Sequence, residues 1–163
     1  MAQYTTNVTA TSNSTANTAH VFIELKAPTA ITIKIKRVRV GFSDGTAPAG
    51  VDNYFLVKLY RWDTTTAGSS SAFTPVPRNA NLPISVLPAS GSCKTKTTTT
   101  ALALGTTNVT IVDQISLNGR ALYEWLARDD DDMIVVKPAS CFAVVLQSGV
   151  VSQKFMVSVD HME

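Results

Sequence analysis

The chain has 163 residues, 14 basic and 12 acidic side chains, a net charge of +2, and 45% hydrophobic residues. This is the size of one ordinary domain that can bury a hydrophobic core. A net charge this small does not indicate a nucleic-acid-binding protein. The two cysteines, Cys93 and Cys141, are too few for a disulfide scaffold and lack the paired spacing of a zinc site. We expect two buried thiols, with a disulfide between them as the alternative.

Residues 1–18 contain no charged side chain and consist mainly of Thr, Asn, Ser and Ala. Such a segment buries too little apolar surface to offset the entropy of ordering. It also lacks the basic and apolar regions of a secretion signal, and no later segment reaches the roughly 18 apolar residues of a membrane helix. The sequence therefore predicts a flexible polar arm over 1–18, disordered or laid over a neighbouring subunit, and a single soluble domain over 19–163.

From residue 19 onward, short β-rich segments alternate with turn signals, which is typical of an antiparallel sandwich or barrel. We expect strands near residues 20–26, 31–42, 53–62, 95–104, 107–115, 120–127, 133–137, 141–147 and 153–160. The segment RALYEWLAR (120–128) also fits a helix, but its Tyr and Trp favour a strand. A long loop is expected from Asp63 to Ser92, which holds four of the seven prolines. The predicted fold is all-β, an antiparallel β-sandwich or jelly roll of about eight strands.

The segment AITIKIKRVRVGF (30–42) changes the phase of its apolar residues halfway along. In a regular strand the isoleucines before Lys36 would face one side, and Val38, Val40 and Phe42 the other. A β-bulge at Lys36-Arg37 would turn all of them to one face. The opposite face would then carry four cations, Lys34, Lys36, Arg37 and Arg39. We interpret it as a solvated face or a protein contact, because phosphate binding normally recruits a wider basic surface than one strand.

The segment NYFLVKLYRW (53–62) is apolar on both faces of the expected strand. Phe55, Val57 and Leu59 fit a core face. The opposite face carries four candidate interface residues, Tyr54, Leu56, Tyr60 and Trp62. Because a strand apolar on both sides must be covered twice, either the long loop or another subunit lies against it. We favour another subunit, since exposed aromatic patches usually mark interfaces, and predict an oligomer.

The run RDDDDM (128–133) holds a third of the acidic residues, at Asp129, Asp130, Asp131 and Asp132. Calcium loops place carboxylates on alternate residues, whereas four in succession point in different directions. We therefore expect an exposed loop between two strands and no metal site. A metal site and an intersubunit contact with the basic surface over 34–39 remain the alternatives.

Residues with catalytic potential are few. His20 and His161 lie near opposite ends of the chain without a spaced partner, and we expect both at the surface. No nucleophile elbow, phosphate loop or zincin motif is present. The sequence predicts neither an enzyme nor a cofactor.

The phrases KRVRVGFSDGT, FLVKLYRW and RALYEWLARDDDDMIVVKPASCFAVVLQS resemble small all-β virion proteins of tailed bacteriophages. The resemblance covers roughly residues 31–160. It implies a jelly-roll-like head decoration or cement protein, typically a trimer seated on the lattice of the major capsid protein. It also implies synthesis in the host cytoplasm and a place on the capsid surface. The implied pattern marks strands and assigns no binding residue.

Two further functions stay open from the residues alone. A tail or fibre module could bind host-surface glycans on Tyr54, Tyr60 and Trp62. A self-assembling structural subunit could pass its arm, residues 1–18, to a neighbour. No membrane partner is expected, and nucleic acid is not favoured as a partner.

Overall fold

The computed structural model describes residues 2–11, 19–42, 54–63, 71–72, 74–83, 85, 87, 93–95, 107–118, 121–148 and 154–163. Over these ranges the chain is all-β, without an α-helix. It forms twelve strands: β1 (Gln3–Thr11), β2 (Ala19–Lys26), β3 (Ile33–Phe42), β4 (Tyr54–Asp63), β5 (Ser71–Ala72), β6 (Val76–Pro77), β7 (Cys93–Thr95), β8 (Thr110–Asn118), β9 (Tyr123–Leu126), β10 (Ile134–Val136), β11 (Ser140–Ser148) and β12 (Lys154–Met162). The number exceeds the expected eight partly because four strands have only two or three residues.

The strands form two antiparallel sheets. The first has the order β10-β3-β12-β1-β6, with β9 also paired to β3, and the second has the order β5-β7-β2-β11-β4-β8. Strand β9 pairs with Arg37–Val40, and β10 pairs with the preceding residues Ile33–Ile35. They are therefore two halves of one edge strand, which residues 127–133 interrupt.

The core lies between the sheets and is built from alternate residues of their central strands. Strand β4 buries Phe55, Val57 and Leu59, as the period-two pattern predicts. Phe42, Phe55 and Phe155 meet with ring centroids 4.7 to 5.4 Å apart, which joins β3, β4 and β12. Burying a large apolar side chain stabilises a fold by about 1.5–3 kcal/mol, so these rings contribute strongly to holding the two sheets together.

The predicted bulge in β3 is confirmed. Asp160 lies opposite Arg37, but the next residue of β12, His161, lies opposite Ile35, so Lys36 has no counterpart. The extra residue restores the phase, and Ile35 and Val38 on either side of it are both fully buried. The cations of β3 accordingly share the outer face of the first sheet.

The N-terminal segment differs from the predicted flexible arm. Residues 3–11 form β1, which pairs with β12 along its whole length. Tyr4 and Thr6 are buried, and the Tyr4 hydroxyl donates a hydrogen bond to the Pro83 carbonyl at 3.1 Å. The polar composition of residues 1–18 did not predict β1, because a polar strand gains its stability from backbone hydrogen bonds to its neighbour and from a few inward side chains. Residues 12–18 lie outside the described part of the chain.

The second apolar face of β4 and β11 is buried within the chain itself. Trp62 is only 1% exposed and packs with Val21, Cys141, Ala143 and Val145. The prediction that Trp62 forms an exposed interface is therefore wrong, because its indole belongs to a second, smaller apolar cluster. This part of the sheet needs no other subunit as a cover.

Several sequence predictions fall wholly or partly outside the described residues. The expected strand at 95–104 is described only at Thr95, the end of β7. Within the expected loop over 63–92, the described residues include β5 and β6, and β6 pairs with β1. Cys141 is buried, whereas the side chain of Cys93 is not among those described.

Candidate functional site

The outer face of the first sheet carries its side chains in cross-strand rows. Register places these residues side by side: Thr5, Asp160 and Arg37, then Asn7, Ser158 and Arg39, then Thr9, Met156 and Gly41. Strand β9 continues the first two rows with Leu126 and Glu124. All of them face away from the core, because they alternate with buried residues such as Val157 and Val159.

A groove of about 390 Å³ opens on this face, and we call it the arginine groove. Part of its floor has short side chains, because Asn7 and Ser158 lie side by side and Gly41 lies in the next row, diagonal to Ser158. Longer side chains from the arginines, Leu122 and Met156 stand around them. A Cβ at Gly41 would lie 3.1 Å from Leu122 Cδ1, so the missing side chain also makes room for that leucine.

Asp160 is the buried anchor of the arginine groove. Its carboxylate is 4% exposed and accepts hydrogen bonds from Thr5 Oγ1 at 2.7 Å and Arg37 Nε at 2.7 Å. Arg78 Nη1 lies 3.3 Å from Asp160 Oδ2. A buried carboxylate needs such donors to offset the loss of water, and in return it fixes the positions of both guanidinium groups.

The remaining charges leave the arginine groove positive. Arg39 Nε lies 3.5 Å from the Glu124 carboxylate, and Arg37 also comes within 4.0 Å of it. Three arginines therefore share two carboxylates, those of Asp160 and Glu124, which leaves one positive charge in excess. Glu124 lies beside the groove and does not line it. The side chains of Arg39 and Arg78 remain 39% and 45% exposed, so they can still donate to a bound group.

A second surface lies where the two sheets end side by side, and we call it the open edge. It consists of β8, residues 121–122 and β9. Within the described ranges, β8 and β9 have no strand on their outer sides. Its exposed apolar residues are Val109, which precedes β8, and Ile111, Val112, Ile115, Leu122 and Leu126.

One hydrogen bond connects the two sheets at the open edge. The Tyr123 hydroxyl on β9 donates to Asp113 Oδ2 on β8 at 2.6 Å. Burial raises the pKa of Tyr123, and the hydrogen bond to Asp113 raises it further, so the phenol stays protonated. This contact fixes the spacing of the two edge strands.

The aromatic group predicted on β4 does not form one exposed patch. Tyr54 is exposed, Leu56 and Tyr60 are partly buried, and Trp62 is buried. Tyr60 packs on the cluster around Trp62. The three aromatic side chains therefore offer no common stacking platform.

The acidic run follows β9, which pairs with the basic strand β3. Within the described part of the chain, the carboxylates of the run form no ion pair with the cations of β3. Asp129, Asp130, Asp131 and Asp132 are exposed and follow β9, and Ala127 N donates to the Lys36 carbonyl at 3.0 Å. Asp129 accepts backbone hydrogen bonds from residues 131 and 132, which shapes the turn. Among the described residues, the partners of Arg37 and Arg39 are Asp160 and Glu124 instead. Lys34 and Lys36 are partly buried and do not line the arginine groove.

Both histidines are buried, which contradicts the expectation that they lie at the surface. His161 stacks on Tyr4 with ring centroids 5.6 Å apart, and its Nε2 lies 3.0 Å from Glu163 Oε1. The described residues contain no group of three potential metal ligands among His, Cys, Asp and Glu. They also form no helix that is long and apolar enough to span a membrane.

Sequence reasoning found Arg37 and Arg39 but missed the other residues of the arginine groove. The alternation FMVSVD does place Met156, Ser158 and Asp160 on one face of a strand. The pairing of that strand with β3 joins residues more than a hundred positions apart, and no local signal predicts it. Arg78 lies in a proline-rich stretch that has no regular pattern at all.

No family model matches the chain, and no curated protein or solved structure is significantly similar to it. The resemblance to phage virion proteins rests on the quoted phrases alone.

Proposed function

We propose that the protein is a structural protein of a phage virion, and specifically a head decoration protein. In this role it binds the outer surface of the capsid as an oligomer and stabilises the shell. Cementing of this kind works through multivalency, because several weak contacts made together hold much more strongly than each alone. The major capsid protein is the partner, and the trimer is the proposed oligomer.

The open edge is the observation that carries the proposal. Within the described residues, its strands β8 and β9 have no neighbouring strand on their outer sides, and six apolar side chains are exposed there. Soluble monomers normally protect such edges with lysines, prolines or covering loops. The β8 segment TIVDQISLN (110–118) contains neither lysine nor proline, so a partner that covers this edge is favoured.

The sandwich is proposed to be jelly-roll-like. Strands β2, β11, β4 and β8 lie side by side although they are far apart in sequence. Such long-range neighbours are typical of the Greek-key connections that build jelly rolls. Architecture alone does not assign a role, since the same sandwich serves many functions. The proposed role is therefore supported by the open edge and not by the fold.

Shell binding gives the direct test. The protein is mixed with capsids of the phage that encodes it, after this protein has been removed from them, and the capsids are sedimented. Saturable co-sedimentation and a higher temperature of shell disruption are expected. A protein that stays in the supernatant at all concentrations would contradict the decoration role. The double variant Ile111→Lys and Val112→Lys should bind less, and Val76→Lys, on the far strand β6, serves as the matched control.

A glycan-binding module built on Tyr54, Tyr60 and Trp62 is not proposed. Stacking on a sugar requires an exposed aromatic ring face, and Trp62 is buried. The self-assembling subunit loses its main support as well. Of the arm over residues 1–18 that it would pass to a neighbour, residues 3–11 pair with β12 of the same chain.

A further inference from the structure

We infer that the arginine groove binds an acidic saccharide, a sugar ring that carries a carboxylate. The carboxylate would lie between Arg39 and Arg78, and the ring would lie over Ser158 and Gly41. This inference does not depend on the proposed virion role, because all the lining residues come from one chain, although the groove shares Leu122 with the open edge.

The guanidinium groups select for a negative charge. Arg39 and Arg78 come from different parts of the sequence and line the groove with side chains that are 39% and 45% exposed. A guanidinium group binds a carboxylate through two parallel hydrogen bonds, which gives both strength and orientation. Because the groove keeps a net positive charge after Asp160 and Glu124 are counted, an anion gains from entering it.

The other lining residues favour a sugar over a bare anion. Asn7 and Ser158 offer uncharged donors and acceptors for hydroxyl groups, while Met156 and Leu122 provide exposed apolar surface for the carbon face of a ring. Small-molecule sites combine apolar lining with a few placed polar groups and span roughly 300–1,000 Å³. The groove volume of about 390 Å³ lies within this range and suits one or two sugar rings.

Asp160 keeps the groove organised before a ligand arrives. Its buried carboxylate accepts from Thr5 and Arg37 and lies 3.3 Å from Arg78 Nη1, which limits the freedom of these side chains. A site whose side chains are already ordered loses less entropy on binding. The carboxylate is fully used by these partners, so it does not compete with the ligand for the outer donors of Arg78.

The test is a titration of the full-length protein with D-galacturonate, followed by ligand-observed NMR and calorimetry. D-galactose and acetate are titrated in parallel, because the first lacks the carboxylate and the second lacks the ring. We expect saturable binding of galacturonate that weakens with added salt and is at least about tenfold tighter than binding of either comparison compound.

Two kinds of variant test the location of the site. Arg39→Gln and Arg78→Gln each remove a charged guanidinium group and should weaken galacturonate binding about tenfold or more. Gly41→Leu fills the middle of the groove without changing charge and should abolish binding. Arg128→Gln changes an exposed arginine outside the groove and should leave binding unchanged. Thermal unfolding of every variant confirms that it is folded.

Three results would overturn the inference. The first is the absence of saturable galacturonate binding to the folded wild-type protein. The second is equal affinity for galactose or for acetate, which would mean that the carboxylate or the ring is not recognised. The third is unchanged binding in folded Gly41→Leu, which would place the ligand elsewhere.

Discussion

Asp160 is the residue on which the outer face of the first sheet depends. A carboxylate this deeply buried would lose much of its hydration, and the loss is offset by Thr5, Arg37 and Arg78. Arg37 is itself three-quarters buried, so neither charge is well solvated without the other. Glu124 contacts the same arginine from a much more exposed position.

Asp160→Asn tests this dependence with almost no change in shape. The amide loses the negative charge and turns an acceptor into a donor, so Arg37 or Thr5 is left unpaired. The free energy of unfolding from urea titration should fall by about 2–3 kcal/mol. Glu124→Gln is the matched control and should cost below about 1 kcal/mol, because that carboxylate is exposed. Equal losses in the two variants would contradict the buried anchor.

Asp63 connects the end of β4 to two other segments. Asn108 Nδ2 donates to it at 2.9 Å and Ser140 Oγ at 2.8 Å. These hydrogen bonds, from Asn108 first and then Ser140, lower the pKa of the Asp63 carboxyl below its ordinary value. The ionised form is therefore favoured in the folded state, and it contributes stability above the unfolded pKa that is lost as pH falls through the folded pKa.

Asp63→Asn should make this contribution visible. The variant is expected to be less stable than the wild type at neutral pH. The difference should shrink as the pH is lowered from about 5 to about 2, because the wild-type carboxylate is then protonated. Urea midpoints measured across this range check the prediction. A difference that stays constant with pH would mean that the charge of Asp63 does not matter.

At the scale of the element, β3 depends on one inserted residue. Without Lys36, the side chains on either side of it would fall out of phase, and either Ile33 and Ile35 or Val38 and Val40 would turn to solvent. Deletion of Lys36 should therefore prevent folding, as judged by circular dichroism and solubility. Lys36→Ala keeps the bulge and should change stability by only about 0.5 kcal/mol. A deletion variant with wild-type thermal stability would refute this reading of the strand.

The same elements show what the sequence can and cannot predict. The alternation in NYFLVKLYRW correctly assigns Phe55 and Val57 to the core, because side-chain period follows from backbone geometry. It cannot say that Trp62 on the other face is covered within the chain, since that depends on distant residues such as Val21. Likewise Asp160 and Arg37 meet only through the pairing of β3 with β12. Polar composition also hides β1, whose inward Tyr4 and Thr6 are too few to form a periodic signal.

At the scale of the whole molecule, the described strands leave β8 and β9 without a neighbouring strand on their outer sides. Side chains such as Ile111 and Leu126 are exposed at this open edge. Edges of this kind pair readily with other chains unless charge or proline protects them. Among the described residues, the second apolar face around Trp62 is covered within the chain, whereas β8 and β9 are open along their outer sides. We expect this open edge to favour an assembled state.

Native mass spectrometry of the full-length protein at low micromolar concentration tests this central claim most directly. We predict a closed trimer of three times 17.4 kDa. The variant with Ile111→Lys and Val112→Lys should shift it to monomer, because lysines on an edge strand oppose pairing. Val76→Lys should leave the trimer intact. A wild-type protein that remains a monomer, or a trimer that the open-edge variant does not disturb, would contradict the account.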